Sequence, residues 1–298
     1  MLGSLLIFQD PRFNMAKSIL ITGCSSGIGL AAAQQLQQFG YRVFASCRKP
    51  KDLTKLQAIG VDTLLLDVSD SASIKSAINY VLEQTNGTLD AIFNNAGYAQ
   101  AGAIEDLNRD LLRQQFETNV FGQIELIQRV IPIMRAQGYG RIIQNSSILG
   151  IFALPYRGAY NASKFAIEGF IDTLRLELAN TKIKVSLIEP GPIATHFREN
   201  AYTVFKDSLQ PVHSLHQQTY QAMVKHFFQR PGEVPFALAP ESVVKKLLHA
   251  LESPKPKSRY FVGFSAYLLA LLKRCAPTAL QDNLALMISR SEIKSKLH

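Results

Sequence analysis

A glycine-rich octapeptide near the amino terminus decides the fold of this chain: Thr22-Gly23-Cys24-Ser25-Ser26-Gly27-Ile28-Gly29. It follows the apolar run Ser18–Ile21 and opens the amphipathic stretch Ile28–Phe39, so it predicts a strand, a tight turn and the start of a helix. Glycine lets the backbone approach a phosphate closely, and the free amides and positive dipole of a helix N-terminus stabilise the phosphate charge. The octapeptide therefore predicts a phosphate-binding turn, and the alternative is a structural turn that uses the same three glycines.

Short apolar runs alternate with longer amphipathic stretches over residues 17–186, which is typical of βαβ units that build a parallel sheet. The predicted strands are Ser18–Ile21, Arg42–Ser46, Val61–Leu66, Leu89–Phe93, Gly140–Gln144 and Lys184–Leu187. The predicted helices are Ile28–Phe39, Lys51–Ile59, Ser71–Thr85, Arg109–Arg135 and Ser163–Asn180. Right-handed crossovers between these strands predict an α/β fold, a doubly wound parallel sheet of the Rossmann type with helices on both faces. Ligands of such sheets bind at the carboxyl ends of the strands.

The composition is that of a globular protein with one large core. Hydrophobic residues make up 47% and charged residues 18% of the 298 residues, which excludes the disordered and fibrous classes. We expect a single domain over residues 15–298, preceded by an extension, because residues 1–14 lack the basic segment of a signal peptide. Three cysteines match neither a disulfide framework nor a zinc site, so we expect reduced thiols, no bound metal and a cytoplasmic protein.

Positive charge is concentrated near the carboxyl terminus. The net charge is +9, and residues 241–298 hold ten Lys or Arg against four Asp or Glu. We expect a solvated basic face and no nucleic-acid partner, with peripheral contact to an anionic membrane as an alternative. The longest apolar run, Tyr260–Leu272, is too short to span a bilayer. We expect it to pack against the core, and the alternatives are an oligomer contact or a membrane surface.

A basic pair, Arg48 and Lys49, follows the second predicted strand. Dinucleotide sites that select NAD carry an acidic residue near this point, and sites for NADP carry an arginine that binds the 2′-phosphate. The pair therefore predicts NADP(H) rather than NAD(H). The alternative is that both bases merely face water.

Three residues further along the chain suit acid-base chemistry. Ser147 follows the strand Gly140–Gln144, and Tyr160 and Lys164 stand four residues apart near the start of a predicted helix, so that they share one face. A neighbouring ammonium favours the phenolate and lowers the tyrosine pKa from about 10. Taken alone, Ser147 could be an ordinary turn residue, and Tyr160 and Lys164 could be an ordinary pair on a helix surface. Their combination predicts a proton donor at the carboxyl edge of the sheet.

Taken in order along the chain, these motifs resemble those of the short-chain dehydrogenase/reductase family, in its TGxxxGxG subgroup. The matching features are the glycine turn, Asn94-Asn95-Ala96-Gly97, Asn119, Ser147, the Tyr160 and Lys164 pair, and Pro190-Gly191. The resemblance covers residues 17–195 and is greatest to hydroxysteroid and retinol dehydrogenases and to bacterial NADP-dependent aldehyde reductases. It implies a homo-oligomeric oxidoreductase that moves a hydride between NADP(H) and an apolar carbonyl or alcohol.

The resemblance also implies a role for each matched residue. Tyr160 is expected to be the general acid in reduction and the general base in oxidation, with Lys164 lowering its pKa and holding the nicotinamide ribose. Ser147 is expected to hydrogen-bond the substrate oxygen, and Asn119 to bind a helix backbone and a water linked to Lys164. The expected cofactor contacts are Gly23, Ser25, Ser26, Gly27, Ile28, Gly29, Arg48, Asp67, Val68, Asn94, Ala96, Gly97, Tyr160, Lys164, Pro190, Gly191, Ile193 and Thr195.

Two other functions are open to such a fold. One is a non-catalytic NADPH-binding sensor or scaffold, against which the complete Ser147, Tyr160 and Lys164 set argues. The other is a sugar-nucleotide epimerase or dehydratase, against which the GxxxGxG spacing of the turn argues.

Residues 17–194 are expected to bind the dinucleotide and the substrate carbonyl, and residues 195–298 to form a substrate lid and a C-terminal segment. Because residues 195–240 are polar with scattered aromatics, we expect short helices that few apolar contacts hold in place, and therefore a mobile lid. Four apolar residues follow Ser147 and predict an apolar pocket for a steroid-, retinoid- or lipid-like substrate: Leu149, Ile151, Phe152 and Leu154. The alternative is that these residues are part of the core.

Overall fold

Seven strands form one parallel sheet in the part of the chain that the computed structural model describes, residues 16–209, 214–225 and 236–293. They are β1 (Ser18–Ile21), β2 (Arg42–Cys47), β3 (Asp62–Leu65), β4 (Ala91–Asn94), β5 (Gly140–Asn145), β6 (Ile183–Pro190) and β7 (Arg259–Val262). Their order in the sheet is β3-β2-β1-β4-β5-β6-β7, and neighbouring strands are parallel. The strand order reverses between β1 and β4, which is where an open α/β sheet binds its ligand. The predicted doubly wound fold is confirmed.

Helices cover both faces of this sheet. They are α1 (Gly27–Gln38), α2 (Leu53–Gln57), α3 (Ser71–Gln84), α4 (Arg109–Phe116), α5 (Gly122–Gln137), α6 (Gly158–Glu177), α7 (Phe197–Ser208), α8 (Gln217–Met223), α9 (Glu241–Glu252), α10 (Phe264–Cys275) and α11 (Thr278–Ile293). Successive side chains of a strand point to opposite faces. In β1, Ile19 therefore packs with α1 and α9 in one core cluster, and Leu20 packs with α3, α5 and α6 in the other.

The seventh strand corrects the expectation for the carboxyl-terminal third. The six predicted strands are present with small shifts at their ends, but β7 also includes the first three residues of the run Tyr260–Leu272, which we expected to pack against the core. Gly263, with φ +91°, ends the strand, and α10 begins at the next residue. The inner side of α10 packs against Phe152, whereas Phe264 remains 74% exposed. The run is therefore core on one side only.

Two predicted helices differ in detail. The predicted helix Arg109–Arg135 is divided into α4 and α5 by the π-helical turn Glu117–Phe121, and the wider turn carries the buried Asn119. Gly122 directly follows this turn and packs tightly against the backbone at Val68, where a Cβ on residue 122 would lie 1.6 Å from the Val68 carbonyl oxygen. The helix predicted from residue 163 begins at residue 158, so the expected acid-base pair lies within the first two turns of α6.

The segment between β6 and α9 contains the short helices α7 and α8, as expected, but it is better anchored than predicted. Phe205 and Tyr220 are 3% and 1% exposed, in a cluster that also contains Tyr160. The Tyr220 hydroxyl donates to the Asp106 carboxylate and accepts from the Ala103 amide at 2.9 Å. The expectation that few apolar contacts hold this segment is therefore wrong for its described part.

The predicted extension at residues 1–14 and residues 210–213 and 226–235 of the predicted lid lie outside the described residues. Among the residues that are described, no helix is long and apolar enough to cross a lipid bilayer.

Candidate active site

The glycine turn between β1 and α1 is built for close backbone contacts. Gly23 and Gly27 have φ +73° and +58°, values that favour glycine. A Cβ on Gly23 would lie 2.8 Å from the Ala96 Cα, and a Cβ on Gly29 would lie 2.3 Å from the Gly23 carbonyl oxygen. Within the described chain, no side chain caps α1 at Ser26 and no acidic residue occupies its first turn, so its first amides are free to bind an anion. The turn fits the pyrophosphate of a dinucleotide.

Hydrogen bonds between strand ends hold this turn against the rest of the sheet edge. The Thr22 hydroxyl accepts from the amides of Asn95 and Ala96, each at 2.9 Å. The Asn95 side chain donates to the Thr22 carbonyl at 2.9 Å, and its Oδ1 accepts from Asn145 Nδ2 at 2.9 Å. The carboxyl ends of β1, β4 and β5 are thereby fixed relative to one another.

The remaining expected cofactor residues on this side differ in their surroundings. Arg48 is exposed at the end of β2, and the Asp67 carboxylate accepts from the Ser69 amide and hydroxyl at 2.9 and 2.7 Å. Asn94 is fully buried, and its side chain donates to the Gln123 carbonyl at 3.1 Å. The Asn94 side chain therefore supports α5 instead of lining the open edge.

The loop after β6 closes the other side of the edge. The Gly191 amide donates to the Val262 carbonyl at 2.9 Å, which ties the loop to β7. Ile193 packs against the core cluster of α1 and α9. Thr195 lies over the N-terminus of α1, where its Cβ would be 3.1 Å from a Cβ on Gly27. The loop from β6 and the glycine turn thus face each other, as expected for two sides of one cofactor site.

Tyr160, Ser147 and Lys164 meet at the carboxyl end of β5. Burial raises the pKa of Tyr160 to about 12, and the nearby Ser147 hydroxyl lowers it in part. Lys164 Nζ donates to the Asn145 carbonyl at 2.9 Å and lies 5.8 Å from the centre of the Tyr160 ring. Burial lowers the pKa of Lys164 to about 8, and Glu168 raises it in part. Without a bound cofactor, burial therefore raises the pKa of Tyr160 more than the expected effect of Lys164 lowers it.

Asn119 binds a loop and not a helix backbone, which corrects the expectation for this residue. Its Nδ2 donates to the Tyr98 carbonyl at 2.9 Å, and its Oδ1 accepts from the Tyr98 amide at 3.1 Å. Nδ2 also donates at 3.2 Å to the Ser163 hydroxyl, which donates to the Tyr160 carbonyl at 2.8 Å. The π-helical turn therefore links the segment after β4 to the first turn of α6.

Aromatic and aliphatic side chains line the side of Tyr160 that faces α7. The Phe197 ring lies 5.6 Å from the Tyr160 ring and is 37% exposed. Leu149 packs against the cluster that includes Tyr160. The core beneath α10 contains the other three residues considered for an apolar pocket, Ile151, Phe152 and Leu154. The side of Tyr160 that faces α7 is therefore apolar, and the segment after Ser147 contributes less to it than expected.

A family model described as short chain dehydrogenase matches residues 17–204. The chain belongs to the short-chain dehydrogenase family. A relative of this short-chain dehydrogenase, the uncharacterized oxidoreductase YbbO of Escherichia coli K12, is 41% identical over 271 residues, which cover 91% of this chain and 94% of that protein. Human 17-beta-hydroxysteroid dehydrogenase type 1 is 35% identical over 263 residues, with 83% and 78% coverage.

Solved structures of other short-chain dehydrogenases share the fold. A Burkholderia phymatum member in complex with NAD has a TM-score of 0.74 at 25% identity and covers 90% of this chain and 95% of its own. A variant of actinorhodin polyketide ketoreductase with NADPH has a TM-score of 0.67 at 26% identity, with 83% and 95% coverage. The short-chain dehydrogenase described here is an oxidoreductase that acts on an alcohol or carbonyl with a nicotinamide cofactor.

Sequence reasoning missed three polar residues of this short-chain dehydrogenase that hold the site together. Thr22 joins β1 to the segment after β4, Asn145 accepts from Lys164, and Ser163 connects Asn119 to α6. Thr22 and Asn145 are polar residues at the carboxyl ends of apolar strands, and this placement could have identified them as site residues from the sequence. Ser163 gave no such signal, because its partners are brought near only by the π-helical turn.

Proposed function

We propose that this enzyme interconverts an aldehyde or ketone and its alcohol with NADP(H), with Tyr160 as the proton donor and acceptor. The observation that carries the proposal is the meeting of three groups at the end of β5: the Tyr160 hydroxyl lies beside Ser147, and the buried Lys164 Nζ lies 5.8 Å from the centre of the Tyr160 ring. A paired phenol and hydroxyl at the carboxyl edge suit a carbonyl oxygen that gains a proton.

In reduction, Tyr160 donates its phenolic proton to the carbonyl oxygen while the carbonyl carbon takes up a hydride. In oxidation, the Tyr160 phenolate takes the hydroxyl proton back. Ser147 donates a hydrogen bond to the same oxygen, and the Lys164 ammonium stabilises the charge that Tyr160 acquires. A bound nicotinamide supplies the hydride in reduction and accepts it in oxidation.

The residues that would hold the dinucleotide lie along the carboxyl edge of the sheet. The free amides of the glycine turn suit the pyrophosphate, and Thr195 and Gly191 suit the nicotinamide end. Arg48 suits a 2′-phosphate, because a guanidinium binds phosphate in a bidentate manner. The related solved structures include one with NAD and one with NADPH, so the NADP(H) assignment rests on Arg48 and not on these relatives.

Cofactor preference is tested by replacing Arg48. We expect Arg48→Ala to lower kcat/KM for NADPH by about ten- to a hundredfold and to leave kcat/KM for NADH nearly unchanged. Lys49→Ala is the matched control, because Lys49 is the neighbouring exposed base and should have a smaller effect. Equal use of NADH and NADPH by the unmodified enzyme would contradict the assignment.

An apolar substrate is supported by Phe197 and Leu149 beside Tyr160. The relatives include a human 17-beta-hydroxysteroid dehydrogenase and a bovine retinol dehydrogenase, both named for apolar substrates. We expect NADPH oxidation to be faster with long aliphatic or polycyclic carbonyls than with short aldehydes, measured over a series of graded size. A preference for short polar carbonyls would exclude a steroid-, retinoid- or lipid-like substrate.

The non-catalytic alternative is tested by the same assay. A sensor or scaffold would bind NADPH without oxidising it in the presence of any carbonyl in the series. A sugar-nucleotide epimerase or dehydratase would act on a nucleotide sugar without net oxidation of NADPH.

A further inference from the structure

A buried ionic cluster lies next to Lys164, and the proposed function has so far assigned no role to its members. Arg259 at the start of β7 donates to Glu189 at 2.6 Å and also contacts Glu168 and Asp172. The side chains of Glu189 and Glu168 are 0% and 7% exposed, whereas that of Asp172 is 37% exposed. Charges buried to this degree are kept only where other charges compensate them.

The members of the cluster come from the elements that form the site. Glu168 is one helical turn after Lys164 in α6, so the two side chains lie on the same side of the helix. Glu189 stands in β6 directly before the Pro190-Gly191 loop. Arg259 therefore joins the helix that carries Lys164 to the strand that leads into the cofactor loop.

When both buried carboxylates are ionised, the charges of the cluster balance only if Lys164 is included. Arg259 offers one positive charge to the two buried carboxylates, Glu168 and Glu189. The partly exposed Asp172 has a second partner in Arg175 at 2.9 Å. Burial raises the pKa of Glu189 to about 7, so once Glu189 has lost its proton one buried negative charge is left for the Lys164 ammonium to neutralise. The direction of the electrostatics agrees, because burial lowers the pKa of Lys164 and Glu168 raises it.

Building on the proposed function, we propose that Glu168 is a positioning residue that keeps Lys164 in its ammonium form beside Tyr160. Lys164 also faces the Asn145 carbonyl and the Tyr160 ring. The charged and polar groups that face Glu168 are Lys164 and Asp172 on α6, Glu189 on β6, Arg259 on β7 and the Ser146 hydroxyl after β5.

The sign of the effect follows from the positions of the charges. Removing the Glu168 charge makes proton loss from Lys164 easier and affects the more distant Tyr160 hydroxyl less. A neutral lysine with a neutral tyrosine then replaces the active ammonium and phenolate pair in part of the population. In the oxidation direction, the rise of kcat/KM with pH should therefore shift to lower pH, and its plateau should fall.

The direct test measures the charge of Lys164 in the ligand-free protein. Lysine labelled with ¹³C at Cε is titrated by NMR, and the Lys164 resonance is assigned by its loss in Lys164→Arg. We expect Glu168→Gln to lower the Lys164 midpoint by about one pH unit or more. Asp172→Asn is the matched control, because Asp172 also contacts Arg259 but lies two turns from Lys164. In this variant the Lys164 midpoint should match that of the unmodified protein. A folded Glu168→Gln protein with an unchanged midpoint would overturn the proposal.

A reciprocal variant keeps the proposal testable if Glu168→Gln does not fold. Coupling between two charges acts equally in both directions. Lys164→Met should therefore make the buried carboxylates take up a proton at higher pH, seen in the ¹³C resonances of labelled glutamate. Unchanged carboxylate titration in Lys164→Met would overturn the proposal.

These titrations need no turnover, so the two proposals fail separately. If the Lys164 midpoint depends on Glu168 but no carbonyl is reduced, the proposed function is wrong. If carbonyls are reduced and the midpoint does not depend on Glu168, the role of Glu168 is wrong.

Discussion

In the proposed reaction, turnover depends on the hydroxyl of Tyr160, whose ring is part of the core. Tyr160→Phe keeps the ring against Phe197 and removes only the proton donor. We expect kcat to fall by about 10²–10⁴-fold, because this is the usual contribution of a positioned general acid. NADPH affinity, measured by fluorescence titration, should change by less than about threefold, since a change in kcat alone marks a group that acts in the transition state.

The matched control is Tyr156→Phe in the loop before α6. The Tyr156 ring packs 5.5 Å from the His216 ring, so this variant also removes a hydroxyl and keeps the ring contacts. It should retain turnover close to that of the unmodified enzyme. A Tyr160→Phe enzyme with a tenth or more of normal activity would make another group the acid.

Reduction should lose rate at alkaline pH because Lys164 loses its charge there. Burial places the pKa of Lys164 at about 8 and that of Tyr160 at about 12, so Tyr160 still holds its proton when Lys164 becomes neutral. Below pH 8 the ammonium stabilises the charge that develops on Tyr160, and above pH 8 it does so progressively less. We expect kcat/KM for reduction, which reports the free enzyme, to be flat below about pH 8 and to decline above it. A profile that stays level to pH 10 would contradict this order of ionisation.

The helices over the site, α7 and α8, are expected to be stable without ligand. The side chains of Phe205 and Met223 are buried, and the Tyr220 hydroxyl contacts Asp106 in the segment before α4. We expect the amides of α8 to be protected from hydrogen exchange in the ligand-free protein. Tyr220→Phe should speed their exchange by about fivefold or more, because one lost hydrogen bond to a charged group costs about 1–3 kcal/mol.

Exchange in α3 serves as the control for that experiment, because α3 packs in a different core cluster from Tyr220. Its amides should exchange equally in both proteins. Rapid exchange of α8 in the unmodified protein would restore the mobile lid that the polar composition of this segment predicts.

The sequence predicts elements that have a clear period and fails where spacing alone carries no signal. Six strands are found because each has a buried run followed by a longer amphipathic stretch. The seventh strand, β7, merges with α10 into one apolar run, and only Gly263 separates them. The site residues with motif spacing were found, whereas Glu168 and Arg259 were not, because 91 positions separate them in the chain.

At the scale of the whole molecule, the outer face of α6 is an uncharged surface. Residues at helical spacing along this face are all exposed: Ala162, Phe165, Gly169, Thr173 and Leu176. Phe165 and Leu176 are 40% and 68% exposed, and a Cβ on Gly169 would meet no atom within 4 Å. A long uncharged helix face with small residues allows close contact with the same face of a second copy.

We therefore expect a two-fold symmetric dimer through α6. Leu176→Asp would place two carboxylates near each other in such a dimer, and sedimentation equilibrium at micromolar concentration should show a shift from dimer to monomer. Leu271→Asp is the matched control, because Leu271 is 60% exposed on α10 and would leave an α6 interface intact. If only Leu271→Asp dissociated the dimer, the interface would lie at α10 and not at α6. If the unmodified protein were monomeric at this concentration, neither helix would form a dimer interface.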